Sequence, residues 1–177
     1  PSNGEELKNM IKLAQSINNK PSAIRYPRDF AYEYNNNNNF QKIFIGKGKI
    51  LKKGKRIAFL NLGTRLKKVL EINEMIKNHH KLNCTVVDMR FAKPIDTKLI
   101  QNLNKTHDIF ITIEENAIGG FSSQVNDFLI NKLNKTPKIL NFFMKDEFID
   151  QSDIDDQYNK SGISKELIFD KISTLLM

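Results

Sequence analysis

The sequence predicts an α/β fold, a three-layer α/β/α sandwich around a mostly parallel sheet, and three observations predict it. Four short runs, Ile57–Leu62, Cys84–Asp88, Ile109–Ile113 and Lys138–Phe142, have the length and apolar content of buried strands. The stretches between them carry apolar residues at helical spacing, and alternation of this kind implies right-handed crossovers and a sheet covered on both faces. With 177 residues and 40% hydrophobic content, the chain can bury one good core and carry an appendage.

Each element has its own signal. Leu7, Met10, Ile11, Leu13 and Ala14 recur at three- and four-residue intervals and predict a helix over Glu5–Ile17, with Ser2 or Asn3 as N-cap and Glu5-Glu6 in the first turn. Pro21–Arg28 reads as extended, because Pro27 disfavours helix at Tyr26. One helix and one extended stretch do not make a domain, so residues 1–30 read as the end of a larger one. Residues 31–55 read as a linker: Asn35–Asn39 is a polar homopolymer, and the glycines and lysines of Gly46–Lys55 suggest a turn or small hairpin. From Arg56 the strands alternate with helices over about Arg65–His79, Thr97–Lys105 (capped by Asp96), Ser122–Leu133 and Lys165–Leu176 (with Ser164 as cap). Residues 56–177 therefore form the main domain. Ligands in such sheets sit at the carboxyl ends of the strands, here Leu62-Gly63-Thr64, Asp88-Met89-Arg90-Phe91, Glu114-Glu115-Asn116 and the stretch after Phe142.

Composition excludes several classes. No run of 18 apolar residues occurs, so no membrane-spanning helix is expected. Cys84 is the single cysteine, which rules out an internal disulfide and a cysteine metal cluster and reads as a buried structural thiol. The net charge of +8 raises the question of nucleic acid, and its distribution answers it. Residues 41–81 hold ten lysines, two arginines and two acids, whereas residues 144–170 hold eight acids and three lysines. The basic block lacks aromatic residues interleaved for base stacking, since Phe44 and Phe59 stand where strand cores want them, so it reads as a solvated lysine face.

Several residues are candidates for chemistry. The guanidinium of Arg28 is a planar fork that matches a phosphate, with a surface ion pair as the ordinary alternative. Arg25 reads as structural, pairing with a carboxylate or a helix end. Glu114 and Glu115 form a carboxylate pair at a strand end, but neighbouring strand residues face opposite ways and need not share a site. Asn116 and Gly119-Gly120 suggest a strand-to-helix loop whose N–H groups could take an anion. Asp88, Arg90 and Asp96 surround Lys93-Pro94, where a buried Asp-Arg pair would fix the loop. His79-His80 ends a helix and suits a dipole contact; His107 stands alone before a strand, and no histidine has zinc spacing.

Four strings then carry a family resemblance: Ala23-Ile24-Arg25-Tyr26-Pro27-Arg28, Ile45-Gly46-Lys47-Gly48, Val86–Asp96 (VVDMRFAKPID) and Ile113–Phe121 (IEENAIGGF). In this order the chain resembles the C-terminal portion of the 1-deoxy-D-xylulose-5-phosphate synthase family, over nearly its whole length. The resemblance implies a transketolase C-terminal-domain-like fold for residues 56–177, with residues 1–30 ending a thiamine-pyrimidine-binding domain. It implies a homodimeric transferase that condenses pyruvate with glyceraldehyde 3-phosphate, releasing CO₂, as the first step of non-mevalonate isoprenoid synthesis. Thiamine diphosphate and Mg²⁺ would be held by upstream domains, since no Gly-Asp-Gly diphosphate motif occurs here and the activating glutamate belongs upstream; the chain alone would be inactive. Arg28 occupies the place of the arginine that grips the acceptor's phosphate. The Ile-Gly-Gly-Phe form resembles plastid-type members, and the asparagine-rich usage suits an A+T-rich genome, pointing to an apicoplast, with the cytoplasm as the other compartment. Transketolase and the 2-oxoacid dehydrogenase β subunit share the architecture, and a basic module binding RNA or an acidic protein is the reading from another class.

Overall fold

The computed structural model describes residues 1–27, 30 and 42–177; Arg28 and the asparagine run Asn35–Asn39 lie outside the described residues. Five strands form one sheet: β1 (Lys49–Lys52), β2 (Arg56–Asn61), β3 (Thr85–Asp88), β4 (His107–Ile113) and β5 (Lys138–Phe142), in the order β1-β3-β2-β4-β5. β3, β2, β4 and β5 are parallel, and β1 is antiparallel to β3. The helices are α1 (Gly4–Gln15), α2 (Leu66–His80), α3 (Thr97–Asn104), α4 (Phe121–Asn131), α5 (Ile154–Lys160) and α6 (Lys165–Leu176).

The period-two alternation of the strands splits the core in two. Ile57, Phe59, Val86, Ile109 and Ile111 face α2 and α6, meeting Val69, Ile72, Ile76, Ile168 and Ile172. Ala58, Leu60, Val87 and Phe110 face α3 and α4, meeting Ile100, Leu103, Phe121, Val125 and Leu129. The chain runs from β2 to β3 on one side, then from β3 back past β2 to β4, and this reversal puts α2 and α3 on opposite faces, as crossovers of one hand require. The three-layer sandwich predicted from the four apolar runs is present.

Two elements differ from expectation. Gly46–Lys55 opens on the expected turn, with the Lys47 N–H donating to the Phe44 carbonyl at 3.1 Å, but it is not a hairpin: residues 49–52 pair with β3 (Lys49 opposite Asp88, Ile50 opposite Val87), so the sheet begins inside the stretch read as linker. Lysines at both ends of β1 hide the strand signal, and the same lysines blunt an exposed edge against pairing with another chain. The acidic stretch Asp153–Asp156 opens α5: Asp153 accepts the Asp156 N–H at 2.9 Å, and Asp155 and Asp156 occupy the first turn. That N-cap signal was legible, but the helix is too short for apolar periodicity to announce it. One smaller expectation fails as well: Phe44 is 58% exposed beneath the Lys42 ammonium, not in a strand core. Ser164 holds the N-cap position of α6 as expected, without a side-chain capping bond.

Asn3, not Ser2, caps α1, accepting the Glu6 N–H at 2.9 Å. Asp96 caps α3 as predicted, accepting from Leu99 N–H at 3.1 Å; it also accepts from Gly48 N–H and pairs with Lys47, tying the approach to β1 onto α3. Cys84 is buried, and burial pushes its thiol up to about 12. The thiolate is the reacting species, so the folded chain should resist a disulfide-exchange reagent at pH 8 and react at the rate at which it unfolds. Rapid modification of Cys84 in the absence of denaturant, followed by absorbance, would contradict that packing. Among the described residues, no helix is long and apolar enough to cross a membrane.

Candidate functional site

The carboxyl ends of β2, β3 and β4 open into a cleft of about 990 Å³. Its floor is Leu62-Gly63-Thr64 after β2 and Glu114-Glu115-Asn116 after β4; Arg90–Pro94 after β3 form one wall, and α1 with Pro21–Pro27 forms the outer one. Neighbouring β2 and β4 send their following helices, α2 and α4, to opposite faces, so the cleft lies at the topological switch point, where such sheets offer a crevice. A second hollow of about 330 Å³ adjoins it, between Tyr26, Pro27, Phe30, Thr64 and Tyr158.

Glu114 and Glu115 divide as the pleat demands. Glu114 is buried, and its carboxylate accepts the N–H groups of Phe121 at 2.8 Å and Ser122 at 2.7 Å. These are orphan donors of the first turn of α4, whose N-cap, Gly120, has no side chain to offer. Of the N–H groups at this turn, those of Phe121 and Ser122 are therefore taken by the chain's own carboxylate rather than open to an outside anion. Gly119 and Gly120 serve different needs. Gly119 sits at φ +97°, where side chains are strained, whereas a Cβ on Gly120 would overlap the Glu114 carboxylate.

Glu115 turns the other way. Its Oε1 accepts from Thr64 Oγ1 at 2.7 Å and from the Tyr158 hydroxyl at 2.5 Å. Burial, and then the bond to Glu115, push the Tyr158 hydroxyl up to about 12, so it remains a donor. The Arg65 guanidinium lies 3.8 Å from the centre of the Tyr158 ring and donates to the Ile163 carbonyl at 2.8 Å. Thr64 entered the sequence reading as part of a strand end, but Arg65 and Tyr158 escaped it as site residues, because the three meet only through the fold. Arg25 reaches over this group, with Nη2 3.5 Å from the Glu115 carbonyl; among the described residues it pairs with no carboxylate. Arg28 lies outside the described residues.

The end of β3 corrects another expectation. Arg90 does not pair with the Asp88 carboxylate through its guanidinium; its backbone N–H donates to Asp88 Oδ1 at 3.1 Å, while its Nη2 lies 2.5 Å from Glu6 Oε1 on α1. Asp88 also accepts from Ser2 Oγ at 2.5 Å. Desolvation raises the Asp88 carboxyl above its ordinary value, opposed by these hydrogen bonds.

The histidines are structural. His80 Nε2 is 3.0 Å from Ser173 Oγ and His79 packs on Phe169, fastening the end of α2 to α6. His107 begins β4 rather than standing before it, with Nδ1 3.0 Å from the Leu103 carbonyl and Nε2 2.8 Å from Thr85 Oγ1. Among the described residues no three His, Cys, Asp or Glu side chains converge to hold a metal.

Comparison with known proteins adds what geometry alone does not. Residues 46–168 match the family described as transketolase, C-terminal domain. The chain is 38% identical over 174 residues to 1-deoxy-D-xylulose-5-phosphate synthase of Psychromonas ingrahamii, covering 95% of this chain and 27% of that protein. It is 39% identical over 178 residues to the synthase of Blochmanniella floridana, covering 97% and 28%, and 36% identical over 168 residues to the chloroplastic synthase 1 of Cannabis sativa, covering 93% and 23%. The chain spans about a quarter of the length of these curated relatives. Among solved structures, a split-gene transketolase described as an inactive β4 tetramer superposes with a TM-score of 0.69 at 27% identity, over 77% of this chain and 44% of that one. A transketolase mutant from Pichia stipitis, with a TM-score of 0.52 at 9% identity over 74% and 18%, shares the fold.

Proposed function

Because the chain belongs to the transketolase C-terminal domain family, we propose that it is the C-terminal portion of a 1-deoxy-D-xylulose-5-phosphate synthase. The longer enzyme would be a thiamine-diphosphate-dependent transferase that condenses pyruvate with glyceraldehyde 3-phosphate and releases CO₂. The observation that carries this reading is likeness to synthases of that name at 36–39% identity along 93–97% of this chain, including the stretch before the matched domain.

No cofactor-holding role is assigned to residues of this chain. Among the described residues no cluster of metal-ligating side chains exists, and the sequence has no Gly-Asp-Gly motif. We assign thiamine diphosphate and Mg²⁺ to other domains of the longer protein. Residues 1–30 are read as the end of the pyrimidine-binding domain. Arg28 would grip the phosphate of glyceraldehyde 3-phosphate, its charge and planar fork serving that group at every working pH. The enzyme would act as a homodimer in a plastid, for which the chloroplastic relative and the Ile-Gly-Gly-Phe form give support; the apicoplast is the specific compartment we propose.

The longer protein should release CO₂ from pyruvate when glyceraldehyde 3-phosphate is supplied. Ketol transfer between sugar phosphates in its place would favour a transketolase. The 177-residue chain alone should self-associate in light scattering and show no condensation, as expected for a chain resembling an inactive tetramer. Turnover by this chain would refute the division of labour.

A further inference from the structure

The first helix meets the sheet through charge more than through apolar packing. Of its apolar residues Leu7, Met10, Ile11 and Leu13, Met10 is buried at 6% exposure, while Ile11 is 40% exposed. By contrast the Glu6 and Arg90 side chains are 9% and 8% exposed, with 2.5 Å between Oε1 and Nη2. Beside them Ser2 donates to Asp88, and Asp88 accepts the Arg90 backbone N–H.

This arrangement is poorly suited to stability alone. A buried ion pair repays its desolvation when its geometry is full, and apolar residues of similar size often anchor two elements as well or better. Here the pair is half made: among the described residues neither Glu6 Oε2 nor Arg90 Nε has a hydrogen-bond partner, so the guanidinium fork is used at one point. Arg90 also holds a left-handed backbone, at φ +60°, which a side chain rarely adopts. What a buried pair supplies, and apolar contact does not, is register: sliding α1 by one residue would strand two desolvated charges.

We propose that Arg90 is a positioning residue. Through Glu6 it sets the register of α1, and with it the placement of the Pro21–Pro27 stretch across the carboxyl ends of β2 and β4, where Arg25 meets the Glu115 carbonyl. The functional consequence rests on the reading that Arg28, next in the chain, holds the acceptor's phosphate.

The test uses the full-length enzyme with four variants: Arg90→Met, Arg90→Lys, Glu6→Gln and the double variant Glu6→Met/Arg90→Met. Arg90→Met should raise the KM for glyceraldehyde 3-phosphate about tenfold and change that for pyruvate by less than about twofold, with Arg90→Lys recovering part of the loss. The double variant should recover the melting temperature without recovering that KM. Should Arg90→Met not fold, Glu6→Gln carries the same test, with an expected rise of about threefold. Recovery of KM together with stability, or a loss of stability with both KM values unchanged, would show the pair to be a structural anchor and overturn the proposal. Hydrogen exchange over residues 4–27 of the double variant separates this from the parent reading. Faster exchange at restored stability sustains the positioning role even if Arg28 proves unrelated to phosphate, and unchanged exchange defeats it.

Discussion

Alanine in place of Arg28 in the full-length enzyme should lower kcat/KM for glyceraldehyde 3-phosphate by about 100-fold while leaving that for pyruvate within about twofold. The size follows from what a guanidinium gives a phosphate: two charge-assisted hydrogen bonds of about 1.5–3 kcal/mol each, of which some 3 kcal/mol survives competition from water, at 1.4 kcal/mol per decade. The asymmetry follows from the substrates, since pyruvate carries no phosphate to lose. Arg28→Lys keeps the charge but not the fork, and should fall between, about tenfold below the parent. Initial rates with each substrate varied against saturating partner would decide it. Equal losses for both substrates would place Arg28 in the fold or the cofactor site, and remove the acceptor-phosphate role from this end of the chain.

That role was read from a string of residues, whereas most of the architecture was read from periodicity, and the two kinds of evidence have different reach. The four apolar strands and the helices between them follow from local patterns: Ile57, Phe59 and Leu60 have to be buried on both faces, and the sheet that buries them is parallel. β1 was not legible because Lys49 and Lys52 serve the edge rather than the core. The cleft was legible as a location, at the strand ends, but its wiring was not. Glu6 is the first-turn helix acid it was read as, but it is also the partner of Arg90, 84 residues away. Glu115 meets Thr64 and Tyr158, 51 and 43 residues distant. Nothing in a single sequence pairs these residues with one another, because the contacts exist once the chain has folded. Where a motif is local, as with Glu114 and Gly120, its residues are visible in the sequence although their reason is not.

That motif gives the second large effect. Gly120→Ala should cost several kcal/mol of stability, roughly 3–4, although its φ of −79° is open to any residue. The cost is steric: the new methyl would overlap Glu114 Oε2, and that oxygen cannot retreat, because the carboxylate is buried and held by the N–H groups of Phe121 and Ser122. Asn116 Nδ2, at 2.6 Å from the same methyl position, is on an exposed side chain that can swing away. Glu114→Ala should itself cost about 3–5 kcal/mol, since it leaves those two first-turn donors buried and unpaired and opens a small cavity. Because both changes act on one carboxylate, their costs should not add. With Glu114 already removed, Gly120→Ala meets little, and its further cost should fall below about 1 kcal/mol; a methyl there can even occupy part of the space left by the carboxylate. Urea unfolding of the four species measures the coupling directly. Additive losses would mean that the Glu114 side chain does not fill the space beside Gly120, and the carboxylate that closes the N-terminus of α4 would have to be sought elsewhere.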